Sequence, residues 1–111
     1  MNKSHPFDKS RPFDLICMGR VAVDFYADQI HSPLEHAQSF SRYLGGCAGN
    51  ISVGTSRLGL KSAMFSCVGT DDMGVFLRNQ LQFEGVDTSL LRSIPDHLTG
   101  LVVLGVSPPD R

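Results

Sequence analysis

The 111-residue sequence predicts an α/β domain, a mostly parallel sheet with flanking helices and a small β flap. Three observations carry this. Apolar runs at 14–19 and 62–69 each end in glycine, as short buried strands do. Segments with helical periodicity follow at about 50–58 and 71–84, and alternation of strands with helices of about 10–15 residues indicates βαβ units. Between 21 and 44 the rhythm breaks into strand-like, partly polar pieces, which read as an appended flap.

Taken in order, residues 1–13 are polar, carry "PFD" at 6–8 and again at 12–14, and are expected to form a flexible tail. "DLICMG" is a short buried strand. "VAVDFYA" alternates loosely and is a second strand or an extension of the first. "SFSRYL" alternates Phe40, Arg42 and Leu44 with its other residues and predicts a half-exposed strand that runs into a glycine cluster. After it, "NISVGTSRLGL" places Asn50 at a helix start, Ile51, Thr55 and Leu58 on one helical face, and Gly59 as the stop. "SAMFSCVG" is a buried strand. In "TDDMGVFLRNQLQFEG", Asp71 is placed to cap a helix whose apolar face holds Val75, Phe76, Leu77 and Leu81, and Gly85 ends it. The extended segments "VDTSLLRSI" and "TGLVVLGV" close the chain. Met64, Phe65 and Phe76 are expected in the core, Lys61 on the surface.

Composition excludes several functions. Ten basic and eleven acidic residues give a net charge of −1 with no basic stripe, so neither nucleic-acid nor anionic-membrane binding has electrostatic support. The longest apolar run, "GLVVLGV", falls far short of the ~20 residues of a membrane helix, and "MNKSHPFDKSRPFD" lacks the apolar core of a secretory signal. Cys17, Cys47 and Cys67 form no CxxC pair, and the four histidines have no metal-ligand spacing with them. Free thiols, no metal site and a cytoplasmic location are the expectations.

The stretch "YLGGCAGNISVG" puts three glycines within five residues ahead of an asparagine. Glycine inside an element costs about 0.5–1 kcal/mol relative to alanine, so a cluster implies a sharp turn or a close approach. A Walker A loop is excluded because no lysine follows Gly49, and the dinucleotide fingerprint fails because Ala48 stands where it needs glycine. A plain strand–helix turn and a binding loop both remain. Asn50 is either a helix cap or an amide that offers donor and acceptor to a polyol. Asp24, in an otherwise apolar run, is either a surface acid on an edge strand or a carboxylate that accepts bonds from hydroxyls. Arg20 directly follows Gly19 at the end of the first strand, where open α/β sheets place ligands. It is either a solvent-exposed arginine or a guanidinium for a carboxylate. Asp71 and Asp72 are accounted for by a helix N-terminus, and Cys47 has no histidine to activate it.

At this point the residues carry a resemblance. "LGGCAGNISVGTSRLGLKSAMFSCVGTDDMGVFL" resembles the first signature region of the ribokinase-like (phosphofructokinase-B) carbohydrate kinases. It has the Gly-Gly-x-x-x-Asn core, a glycine-ended helix, a strand and then "VGTDDMG". "ICMGRVAVDFY" is similar to that family's opening strand, with a glycine followed by an aspartate. The resemblance implies a Rossmann-like fold with a β lid, here about 22–44, and makes 14–111 the N-terminal part of a carbohydrate kinase domain. It implies that Asp24 binds sugar hydroxyls and that Gly45, Gly46 and Asn50 line the sugar pocket, the bare glycines letting backbone N–H groups approach the sugar. "GRVAVDFYADQI" and "RYLGGCAGNISVGTSRLGLKSAM" look most like the branch that phosphorylates 5-dehydro-2-deoxy-D-gluconate in inositol catabolism, whose carboxylate Arg20 would meet.

The same resemblance implies ATP and Mg2+ as cofactors of a complete enzyme, and a base and anion hole in a Gly-Ala-Gly-Asp loop that nothing in this sequence matches. The expectation is a sugar-binding fragment that holds no catalytic, nucleotide or metal residue and does not turn over alone. Lids of two subunits often pack together in the family, so a homodimer through "FSRYL" is expected as an option. Three alternatives stay open: a kinase of the family acting on another sugar or a nucleoside, a non-catalytic lid fragment serving assembly, and a nucleotide-binding oxidoreductase.

Overall fold

A computed structural model describes residues 6–109. Its elements run β1 (Leu15–Met18), β2 (Ala22–Ala27), a single 3-10 turn (Leu34–His36), β3 (Phe40–Gly45), α1 (Cys47–Arg57), β4 (Ser62–Gly69), α2 (Asp72–Phe83), β5 (Leu91–Ile94) and β6 (Leu101–Leu104). They build two sheets. The first has the order β1-β4-β5 and is parallel throughout. The second has the order β3-β2-β6, with β2 antiparallel to β3 and parallel to β6. This is the α/β architecture with a small β lid that the sequence predicts.

Alternation along β4 decides how the layers stack. Met64 and Val68 point to one face, which α1 and α2 cover. There they join Cys17, Leu77, Leu81, Val86 and Leu91 in the core, with Val21 and Val23 from the start of the lid. Phe65 and Cys67 point the other way. Phe65 is 47% exposed beside Met18, its register partner on β1, so it is not the core residue the sequence suggests. A hydrophobic strand residue can lie on either pleat, and only the position of the helices tells which. Met64 is fully buried, as expected, and Phe76 is half-buried beneath the Arg42 guanidinium, 4.1 Å from its ring centre.

Three further details depart from the sequence reading. Helix α1 begins at Cys47, with Gly46 as N-cap and no side chain capping it, so Asn50 lies within the first turn instead of at the start. The inward face of α1 is Ala48, Gly49 and Ser52, whereas Ile51 is 53% and Leu58 84% exposed. Small residues let the helix axis approach the sheet closely, so the larger apolar residues turn outward. The lid also takes a third strand, β6, from well beyond the expected 22–44 span. Period-two alternation identifies a strand but says nothing about which sheet it joins.

The caps of α2 agree with the sequence reading. Asp71 caps α2 by accepting the Gly74 N–H at 3.0 Å, and Gly85 follows the helix with a left-handed φ of 82°. Of α2's expected face, Leu77 and Leu81 are fully buried while Val75 is exposed. Residues 1–5 of the expected tail lie outside the described residues. Residues 6–13 form neither helix nor strand, and the exposed Lys61 ammonium donates to the Lys9 and Arg11 carbonyls.

Candidate functional site

The site is built where β3 runs into α1. Antiparallel pairing sets Asp24 opposite Tyr43 and Ala22 opposite Gly45. A Cβ at Gly45 would fall onto the Asp24 carboxyl group, so the missing side chain makes room for that carboxylate. Gly46 has φ of 93°, a left-handed conformation that favours glycine, and a Cβ there would stand 2.5 Å from the Arg20 carbonyl. Gly49 completes the fit. Its N–H donates to the same carbonyl at 3.2 Å, and a Cβ would meet Val21 at 2.9 Å. The glycine cluster thus lets the start of α1 rest on the backbone at 19–21 and on Asp24. This is a packing role for the cluster, and it stands beside the approach of a ligand that the family resemblance implies.

Asp24 is half-buried, and its carboxylate makes no hydrogen bond or ion pair among the described residues. An acid in that setting is costly to leave unpaired, so the position favours a ligand with donors to offer. Arg20 is exposed and makes no ion pair among the described residues. It lines an open cleft of about 500 Å³ beside β1 and β4, with Met18, Ser66, Cys67 and Gly100 among its walls. Asn50 is exposed and lines a different cleft, about 220 Å³, with Tyr43, Val53, Arg57 and Gln80. The structure therefore joins Asp24 to Gly45 and Arg20 to Gly46, and sets Asn50 one helical turn along.

Two features escape the sequence reading. Tyr26 and Tyr43 share the Asp24 face of the lid, their rings edge to face with centres 5.6 Å apart. The alternation in "VAVDFYA" signals Tyr26 on that face, but Tyr43 is placed only by the β2–β3 register. The second is a clasp at the far side of the lid. The buried Thr99 donates its backbone N–H (2.8 Å) and its hydroxyl (3.1 Å) to Asp71 Oδ2, and its hydroxyl accepts the Gly69 N–H at 2.9 Å. These bonds, led by the Thr99 N–H, hold the Asp71 carboxyl below the usual aspartate range. Nothing in the sequence signals Thr99.

Among the described residues no group of three or more His, Cys, Asp or Glu side chains converges as a metal site. The three thiols are free; Cys17 is buried and burial raises its pKa, while Cys47 and Cys67 are exposed. No described helix is long and apolar enough to cross a membrane.

Comparison with known proteins follows the same geometry. The chain is 37% identical over 105 residues to 5-dehydro-2-deoxygluconokinase of Geobacillus kaustophilus, covering 94% of this chain and 31% of that protein. It is 47% identical over 83 residues to the 5-dehydro-2-deoxygluconokinase of Clostridium tetani, covering 75% of this chain and 24% of that protein. The chain thus spans about a third or less of the length of the curated relatives it matches. Among solved structures it resembles an uncharacterised sugar kinase from Pyrococcus horikoshii in complex with ATP. The TM-score is 0.79 at 32% identity, over 82% of this chain and 30% of that one. The model of the pfkB family carbohydrate kinases matches residues 13–110, which takes in β1, the lid, the glycine loop and both helices. The chain belongs to the pfkB family of carbohydrate kinases.

Proposed function

We propose that these residues form the sugar-binding part of an ATP-dependent kinase acting on a sugar acid, 5-dehydro-2-deoxy-D-gluconate. The observation that carries this reading is the Asp24 carboxylate, half-buried, unpartnered among the described residues and seated against the bare Gly45. In that position it accepts hydrogen bonds from sugar hydroxyls and fixes the orientation of the acceptor. Arg20, in the open cleft at the end of β1, binds the carboxylate with its guanidinium fork. The names of the curated relatives support the choice of sugar acid.

Phosphoryl transfer needs a base, a metal and donors that stabilise developing charge. The chain's own residues supply none of these in this reading. In this reading ATP, Mg2+ and the base belong to further parts of a complete enzyme, and no turnover is expected from the 111 residues alone. Phe40, Leu101 and Val103 leave one lid face partly apolar and exposed, which suits pairing of two lids.

The test uses a complete kinase containing this sequence. Asp24→Asn is expected to weaken sugar binding by about 1.5–3 kcal/mol, roughly 10–150-fold, as a bond to a charged group becomes a neutral one, while ATP affinity stays unchanged. Arg20→Gln is expected to lower kcat/KM for the sugar acid by a similar factor and for fructose by far less. Unchanged sugar affinity in Asp24→Asn refutes the assignment. Equal losses on acid and neutral sugar in Arg20→Gln make Arg20 structural.

A further inference from the structure

The lid face that carries Asp24 has an aromatic wall. Register sets Tyr43 directly across from Asp24 on one side and Val102 on the other; Tyr26, two residues along β2, shares the face. The carboxylate therefore sits in a surface that is otherwise aromatic and aliphatic. That composition matches a polyol, which offers hydroxyl donors along one edge and C–H groups along the other.

A cross-strand tyrosine pair also stabilises a sheet simply by packing, and that is the plainer role for these two rings. Three observations go beyond it. Tyr43 is 54% exposed, so about half of the residue is not used in packing. Neither tyrosine hydroxyl has a hydrogen-bond partner among the described residues. Tyr43 is set across from Asp24 and also lines the cleft that holds Asn50, so it adjoins two of the residues the family resemblance assigns to the sugar. Tyr26 meets it edge-on at 70°, which holds the Tyr43 ring at a fixed tilt and leaves its remaining surface open.

We propose that Tyr43 is a binding residue for the acceptor, stacking its ring against the C–H edge of the polyol while Asp24 takes the hydroxyls, and that Tyr26 is the residue that positions it. The inference rests on the reading of Asp24 as the hydroxyl acceptor. It differs in kind from that reading: Asp24 selects for donors, whereas Tyr43 selects for a flat apolar edge and disfavours acceptors that present bulk or charge there.

Calorimetric binding of 5-dehydro-2-deoxy-D-gluconate to the complete kinase tests it, with ATP affinity as the control for folding. Tyr43→Ala is expected to weaken sugar binding about tenfold, the size of a lost aromatic contact plus its buried area. Tyr43→Phe is expected to stay within about twofold, since an unpartnered hydroxyl contributes little. Asp24→Asn is measured alongside. If Asp24→Asn weakens binding and Tyr43→Ala does not, the aromatic wall is refuted and the Asp24 reading stands. If Asp24→Asn has no effect, the underlying reading fails and this inference fails with it. If Tyr43→Phe loses as much as Tyr43→Ala, the hydroxyl is the binding group and stacking is overturned. Should Tyr43→Ala lose ATP affinity as well, Tyr43→Leu keeps the bulk and removes the aromatic face; sugar binding retained by Tyr43→Leu also overturns the proposal.

Discussion

Where the parallel sheet meets its helices, Met64 on β4 and Leu77 and Leu81 on α2 have no exposed surface at all, and the strands and helices are joined by ordinary βαβ connections. The lid, a short distance away in the same chain, is organised differently. Its face toward Asp24 holds an unpartnered carboxylate and a largely exposed tyrosine, and its opposite face leaves Leu101 and Val103 half exposed. One region is stabilised by burial. The other buries Ala22, Val23 and Ala27 along β2 but keeps polar and aromatic groups open on its Asp24 face, as a binding surface must. The glycines at 45, 46 and 49 lie where the two regions meet, because backbone and carboxylate approach there closely enough to exclude a Cβ.

That contrast is most directly broken by truncating one residue in each region. Leu77→Ala removes a fully buried side chain from the helix–sheet core and is expected to cost about 2–5 kcal/mol in urea unfolding. Val103→Ala, on the exposed lid face, is expected to stay within about 0.5 kcal/mol. A Val103 loss comparable to that of Leu77 would mean that the lid is as tightly packed as the sheet, and the distinction would fail.

How far the sequence revealed these two regions follows from the same physics. Strands β1 and β4 were readable as apolar runs closed by glycine, although β1 buries only Cys17 fully and leaves Ile16 and Met18 exposed; helix α2 was readable because burial imposes a period on the residues that carry it. The Asp71 cap was readable because its bonds reach only three residues on. Asp24 and the glycine loop drew notice as local anomalies, an acid in an apolar run and a costly cluster of flexible residues. What stayed hidden was long-range. Tyr43 acquires its place through pairing with β2, β6 joins the lid from 101–104, and Thr99 closes a bond to Asp71 across 28 positions. The inward face of α1 was hidden for another reason: its small residues carry too little hydrophobicity to outweigh Ile51 and Leu58 in a periodicity count.

The Thr99 clasp sharpens the comparison, since it ties the end of β4 and the cap of α2 to the start of β6. Thr99→Val removes a hydroxyl bond to Asp71 and leaves the Gly69 N–H without its acceptor, at an expected cost of about 1–3 kcal/mol. Asp71 adds a pH signature. Its folded pKa is depressed, so its contribution is fully present above the unfolded aspartate value of about 4 and is lost as pH falls through the lower folded value. Melting curves from pH 7 down to pH 2 should therefore show an acid loss that Asp71→Asn flattens. An equally steep loss in that variant would assign acid sensitivity to other carboxylates, such as Asp28, Glu84 and Asp87, whose pKa values are also lowered.

The smallest effect is expected on the outer face of α1. Ile51 and Leu58 are large apolar residues at helical spacing in the segment that starts at Asn50, and that spacing alone would make them its core. In the structure the core side is instead Ala48, Gly49 and Ser52, with Ser52 fully buried and its hydroxyl donating to the Gly49 carbonyl at 2.7 Å. Replacing an exposed apolar residue by a helix-compatible polar one removes almost no buried area, and glutamine forms helix at least as well as isoleucine. Ile51→Gln is thus expected to change unfolding free energy by no more than about 0.5 kcal/mol. Ser52→Leu is its counterpart. A large side chain at that fully buried position would force the helix off the sheet, at about 1–3 kcal/mol. If Ile51→Gln proved the more damaging of the two, the helix would be facing the sheet with the side that periodicity indicates, and the close approach at Gly46 and Gly49 that shapes the Asp24 site would have to be abandoned.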